Sequence, residues 1–373
     1  QLRPVRVVFD SLSEVRLLAQ NPLRYRRQIL ALKQFFAARA CTVLLLDDKT
    51  AQSDQHLHSI AHGVISLEQI AREYGKERRR VNILKMRGIR FRGGYHDYTL
   101  DTGGITMYPR LVAAEHAADF VPELASSGSD GFDALLGGGL ARGTNTLVVG
   151  PSGIGKTTLA TRCLLAALER GEPSAYYLFD EGLGTFHARS LQLGLDLRPH
   201  LDSGLLRVHQ IDPAELSPGE FSQMLRDAVE QRATRFIAID SLNAYLQAMP
   251  GEHYLTLQMH ELLSYLNQKG ATTLMILGQH GLVSEARTDV DLSYLSDNTV
   301  LLRFFEATGQ VRRAISVIKS RTTEHPQSIH ELQLGQGGVR IGAALEGFQG
   351  VLTGIPNYHG VTPMMAAPGN ADA

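Results

Sequence analysis

Short apolar runs that end in a carboxylate alternate along this chain with stretches whose apolar residues recur every three or four positions. The runs predict strands buried on both faces of a parallel sheet, and the stretches predict amphipathic helices packed against it. Arg6-Val7-Val8-Phe9-Asp10-Ser11-Leu12 is one such strand, and Arg235-Phe236-Ile237-Ala238-Ile239-Asp240-Ser241-Leu242 repeats it. After each comes a helix. Ile29, Leu32, Phe35 and Phe36 carry the first, behind an Asn21 cap and Pro22, and Leu255, Met259, Leu262, Leu263 and Leu266 carry the second. Another strand follows in each case, Thr42 to Leu46 and Thr273 to Leu277, and Ile83-Leu84-Lys85-Met86-Arg87 is answered by Val317-Ile318-Lys319-Ser320-Arg321. The matching positions stay roughly 230 residues apart, so the chain reads as an internal repeat.

The two copies are unequal. The second has a front half, from Ser126 through Asn145 to Val149 and Tyr176 to Phe179, that the first lacks. Residues 1–115 therefore read as the C-terminal part of a first domain, 116–125 as a linker, 126–350 as a second, complete domain and 351–373 as a tail. A first copy that opens on its Asp-bearing strand leaves sheet edges bare, which predicts a further half-domain upstream, of roughly 100 to 150 residues and carrying its own copy of the glycine-rich loop Gly150 to Thr157.

Composition narrows the function. The 373 residues hold 37 Lys and Arg against 38 Asp and Glu, a formal charge of -1, so no global basic bias marks a coat for nucleic acid or an anionic membrane. Two cysteines, Cys41 and Cys163, are too few for a disulfide framework and fit a reducing compartment. No apolar stretch approaches the roughly 18 to 20 residues of a membrane span. The expectation is a soluble cytoplasmic protein without a membrane partner.

The chemistry concentrates in the second copy. Gly150-Pro151-Ser152-Gly153-Ile154-Gly155-Lys156-Thr157 fits the full GxxxxGK[ST] pattern between an apolar strand and a helix that begins with Thr158. Glycines let backbone N–H groups wrap a phosphate, Lys156 neutralises the β and γ phosphates, and Thr157 offers its hydroxyl to magnesium. ATP with Mg²⁺ is the expected cofactor, and Asp240, at the end of a later strand, is the expected second metal ligand. Asp180 and Glu181 follow the strand Tyr176 to Phe179. Strand C-termini face the ligand crevice in such sheets, so this pair can polarise the attacking water, with Glu181 the principal base and Asp180 its support. The bland alternative is a solvated helix cap. Lys319 and Arg321 stand two residues apart on a strand, on one face, and in a ring they could reach a neighbour's γ phosphate as a finger pair. Lys85 and Arg87 recur at the equivalent place in the first copy, as nucleotide-facing residues there.

Together these residues resemble the RecA-like ATPases, an α/β P-loop NTPase fold, and within them the KaiC family of double-domain circadian-clock ATPases and their bacterial relatives. The resemblance rests on Ser127-Gly128 with Gly137-Gly138-Gly139 before the P-loop, Phe179-Asp180-Glu181, Asp240-Ser241-Leu242, Glu77-Arg78-Arg79-Arg80 before Lys85-Met86-Arg87-Gly88, and Phe348-Gln349-Gly350-Val351-Leu352-Thr353-Gly354. It implies stacked RecA-like domains, a homohexamer with ATP at subunit interfaces, slow hydrolysis, serine or threonine autophosphorylation in the second domain and signalling-protein partners. The family's paired catalytic glutamates stand here as Asp180-Glu181, one methylene shorter at the first. Its Ser-Thr phosphoacceptor pair stands as Ser293-Tyr294, with Thr288 matching an upstream threonine, so Ser293 and then Thr288 are the acceptor candidates.

Two other classes use the same motifs. A RecA- or DnaB-type DNA-dependent ATPase needs basic, stacking loops after its core strands. Here residues 280–297 carry Glu285, Asp289, Asp291 and Asp297 against Arg287 alone, which repels phosphates, and 241–254 carry Glu252 with no Lys or Arg. A signalling scaffold that ATP merely assembles would hydrolyse little. The basic run Lys76, Arg78, Arg79, Arg80, Lys85, Arg87, Arg90 and Arg92 reads as an inter-subunit or nucleotide-facing surface.

Overall fold

The structure, a computed structural model, describes residues 4–48, 55–71, 74–247, 254–279, 293–352 and 357–359. They fall into two compact units, one within Gln1–Gln69 and Arg79–His96, the other within Ile70–Arg78 and Asp97–Ala373.

In the first unit, β1 (Arg6–Phe9) pairs in parallel with β2 (Thr42–Leu45), Arg6 opposite Thr42 and Phe9 opposite Leu45. Between them run α1 (Leu12–Ala19) and α2 (Pro22–Ala37). The Asn21 side chain accepts the Leu23 N–H at 2.8 Å, and Pro22 occupies the first turn, where its missing N–H costs nothing. Leu12, Ala19, Tyr25, Ile29 and Ile60 form the core of this unit. Most residues of two further strands, β3 (Gly63–Ile70) and β4 (Arg78–Met86), also belong here.

The second unit opens with an antiparallel hairpin formed by β5 (Tyr95–Asp101) and β6 (Gly104–Tyr108), Asp97 facing Tyr108. Its main sheet has nine strands: β7 (Asn145–Pro151), β8 (Ser174–Leu178), β9 (Leu206–Gln210), β10 (Phe236–Asp240), β11 (Thr272–Gln279), β12 (Asn298–Ala307), β13 (Gln310–Ser320), β14 (His330–Gly335) and β15 (Gly338–Ala344). Their spatial order is β9-β8-β10-β11-β7-β12-β13-β14-β15. The strands from β9 to β12 in that order are parallel, and β13, β14 and β15 continue antiparallel.

Alternation along the strands assigns each residue to a layer. Val148, Tyr176, Leu178, Ala238 and Ile276 join one apolar cluster with Leu159, Cys163 and Leu164 of α3 (Lys156–Glu169). Leu147, Val149, Tyr177, Ile237, Ile239 and Met275 join the other, which includes residues of two further helices. With α4 (Leu183–Gln192) between, those helices are α5 (Pro218–Arg232) and α6 (Leu255–Gln268). α5 begins with a capping box, in which the Ser217 hydroxyl accepts from the Glu220 N–H at 3.2 Å. Among the described residues no helix is long and apolar enough to cross a membrane.

One member of the basic run is removed from the surface. Arg78 donates from Nε and Nη2 to Asp97 Oδ1, both at 3.1 Å, and the two side chains are only 4% and 3% exposed. The Gly219 N–H at the start of α5 donates to Asp97 Oδ2 at 2.8 Å. A Cβ on Gly219 would stand 2.8 Å from that oxygen, so the close approach requires glycine. Arg80 pairs with Glu68 at 3.0 Å and lies over the Tyr95 ring. The expected basic surface is therefore interrupted at Arg78, which Asp97 draws inward, while Arg80, two residues on and on the same face, stays partly exposed against Glu68.

Candidate functional site

Parallel strands deliver their C-terminal ends to one edge of the sheet, and three of them build the site. β7 runs into the P-loop, β8 ends just before Phe179-Asp180-Glu181, and β10 ends on Asp240, which lies in register with Leu178. The Phe179 N–H donates to the Asp240 carbonyl at 2.7 Å and closes that edge. Gly155 caps α3 at φ +113°, where a Cβ would also meet Leu334 Cδ2 at 2.9 Å. Glycine alone fits both demands. Ile154 is fully buried, Thr158 is buried, and Ser152 is exposed on the loop.

The Lys156 ammonium is folded onto the loop, donating to the carbonyls of Gly150 and Pro151 at 2.8 Å each. Burial lowers its pKa, with the Asp240 charge opposing. Thr157 Oγ1 donates to Asp240 Oδ2 at 2.8 Å, and the phenol of Tyr176 donates to the same oxygen at 3.1 Å. Burial pushes the Asp240 carboxyl above the usual range, and the two hydrogen bonds together with Lys156 and Arg189 pull the other way. A half-buried carboxylate beside a threonine hydroxyl is a hard-oxygen donor set that suits Mg²⁺, and a helix N-terminus with a lysine suits a polyphosphate. Thr157 and Asp240 would hold the metal, and Gly150 to Thr158 would hold the phosphates.

The acidic pair is divided between two partners. Asp180 accepts from the Ser241 hydroxyl, while Glu181 Oε1 accepts from Arg189 Nη1 of α4 at 2.7 Å. Glu181 is thereby oriented and charge-balanced. Sequence reasoning missed Tyr176, Ser241 and Arg189. A tyrosine in an apolar strand is a usable signal, since a buried phenol needs a partner, but Arg189 looks like any surface residue of an amphipathic helix.

Lys319 and Arg321 are placed away from this edge. Lys319 Nζ donates to the Ser296 carbonyl at 2.6 Å, and Arg321 Nη1 pairs with Asp297 at 3.5 Å while its N–H donates to the Asp297 carbonyl at 3.1 Å. Asp297 in turn accepts the Asn145 N–H at the start of β7, at 3.0 Å, and the Asn267 amide at 3.0 Å. From Asn145 to the P-loop at Gly150 the strand runs roughly 16 Å. This pair is therefore not brought to the chain's own P-loop.

The first unit repeats the wiring. Lys85 Nζ donates to the carbonyls of His58 and Ser59 at 2.6 and 3.3 Å, and Arg87 donates to Ser59 O from Nη2 and to His62 O from its backbone. The Asp10-Ser11 and Asp240-Ser241 peptides are both cis. Ser293 opens a short 3-10 turn, Ser293–Leu295, in which Tyr294 is exposed; the Ser293 side chain and Thr288 lie outside the described residues.

A family model described as "ATPase: KaiC" matches residues 1–112 and 125–346. The "Circadian clock oscillator protein KaiC" of Acaryochloris marina is 26% identical over 289 residues, covering 75% of this chain and 54% of that protein. The "Circadian clock protein KaiC3" of a Synechocystis strain is 29% identical over 290 residues, covering 76% and 56%. The chain thus spans about half the length of the curated relatives it matches.

Proposed function

Because the chain belongs to the KaiC ATPase family, we propose that it is a ring-forming ATPase, a homohexamer that hydrolyses Mg-ATP where one subunit's P-loop meets the next subunit's Lys319 and Arg321. The observation that carries the reading is the Thr157 hydroxyl on the half-buried Asp240 carboxylate, set beside Lys156 at the head of α3. Bound there, Mg²⁺ would neutralise the phosphates and hold them in line. Lys156 exchanges its carbonyl partners for phosphate oxygens, Arg189 orients Glu181, and Glu181 accepts the proton of the attacking water. Lys319 and Arg321 lie at the far end of the P-loop strand, which supports their acting on a neighbour's nucleotide. The names of the relatives, circadian clock proteins, support a role in clock-like regulation.

Glu181→Gln keeps the shape and removes the base. Turnover should fall roughly 10²- to 10⁴-fold with ATP binding retained, measured as steady-state phosphate release beside nucleotide titration. Unchanged turnover would remove Glu181 from the chemistry, and negligible turnover in the unaltered chain would favour an ATP-assembled scaffold. For the neighbour's finger, rings mixing Lys156→Ala subunits with Lys319→Ala/Arg321→Ala subunits should regain hydrolysis. No recovery in rings proven to be mixed would refute action in trans. A γ phosphate held at the P-loop would also be open to transfer to protein hydroxyls, and the family resemblance points first to Ser293, with Thr288 or the buried Ser296 as the fallback. Tyr294 is a poor acceptor, because its phenol extends several ångströms beyond a serine hydroxyl. Phosphopeptide mapping after Mg-ATP incubation checks this, and an unmodified segment in a hydrolysing preparation would leave an ATPase without autokinase activity.

A further inference from the structure

A cavity of about 430 Å³ opens in the second unit at the starts of β8 and β9, beside the C-terminal end of α5. It lies at the opposite ends of those strands from the acidic pair. Strand pairing creates it: Ala175 stands opposite Arg207 and Tyr177 opposite His209, so a small residue on β8 leaves room beneath two long ones on the edge strand β9. Its polar lining includes Arg207, His209, Arg232 and Thr234, with Pro173 and Leu205 as apolar wall.

The charge is one-sided. Arg232, in the last turn of α5, already complements the carbonyl end of that helix, which leaves Arg207 as surplus positive charge. Neither guanidinium has an ion-pair partner among the described residues, and Asp227 of the same helix accepts from Gln223 and Gln231. Burial first, and then the charges of Arg232 and Arg207, hold the His209 imidazole below the ordinary histidine range. Beneath it the Tyr177 ring stacks at 5.1 Å and 10°, and its hydroxyl is buried without a hydrogen-bond partner among the described residues.

We propose that this cavity is a second ligand site, separate from the P-loop, for a small phosphate-bearing molecule held by the Arg207 and Arg232 guanidinia over the His209 ring. Guanidinium forks match phosphate oxygens two at a time, and a cavity of this volume admits a metabolite-sized ligand. The shared chemistry is a phosphate group, either free or as the ester of a small molecule.

The test uses the full chain with isotope-labelled histidine and its P-loop filled with Mg-ADP. Inorganic phosphate and glycerol 3-phosphate are titrated in turn while the His209 ring resonances are followed. Both should move them, up to about 10 mM for a millimolar site. Tighter binding of the ester would identify the esterified ligand, through contact with Pro173 and Leu205, and equal or weaker binding would identify free phosphate. Arg207→Gln/Arg232→Gln should weaken either by at least about tenfold with ATP hydrolysis still measurable. A His209 signal that neither compound moves, or equal affinity in the double variant, would overturn the site.

Discussion

Lys156→Ala should reduce ATP hydrolysis roughly 10³-fold or more, among the largest effects expected of a single substitution here on activity. The ammonium is already at the phosphate-binding loop, held by two backbone carbonyls and partly stripped of water. Hydrolysis therefore needs only an exchange of partners, not a search. Alanine removes the one mobile positive charge of the loop but leaves its backbone N–H groups and the α3 terminus in place. Nucleotide binding should weaken less than turnover. Phosphate release under single-turnover conditions, beside equilibrium titration with a fluorescent ATP analogue, separates the two. Turnover within tenfold of the unaltered chain would show that the P-loop lysine is not what stabilises the transferring phosphate.

For stability, the largest expected effect is at Asp97. Asp97→Ala leaves the Arg78 guanidinium buried without its carboxylate and takes away the acceptor of the Gly219 N–H. Breaking a buried ion pair by removing one partner costs about 3–5 kcal/mol, and urea unfolding reads it directly. The double change Arg78→Met/Asp97→Leu removes both charges together and should recover most of that loss. A single variant within about 1 kcal/mol of the parent would mean that water reaches Arg78, since an exposed pair has only that order of effect.

Local pattern made some parts of this molecule legible and hid others. The P-loop is a contiguous eight-residue signal. Asp240 follows an unbroken apolar run, and the repeat announces itself because both copies keep the same strand-helix-strand order. The companions of those residues are joined only by folding. Tyr176 reaches Asp240 from 64 positions away, Ser241 reaches Asp180 from 61, and Arg78 meets Asp97 across 19. Nothing in the sequence near Arg78 distinguishes it from Arg79 or Arg80; what singles it out is Asp97, whose carboxylate meets it beside the Gly219 N–H only in the fold. Arg207 and Arg232 are likewise unremarkable in sequence, and become a pair only when β9 takes the sheet edge and α5 ends beside it.

The strand leading to the P-loop is buried at every position from Asn145 to Pro151, is flanked on both sides, and is tied at its start by Asp297. In hydrogen-exchange experiments the amides of Leu147, Val148 and Val149 should be among the last of the second unit to exchange, opening only in its global unfolding. Adding nucleotide should then slow the loop amides at Gly153 and Gly155 while leaving those strand amides almost unchanged. The energy released by phosphate contacts would go into affinity, because that backbone has no conformational freedom left to lose.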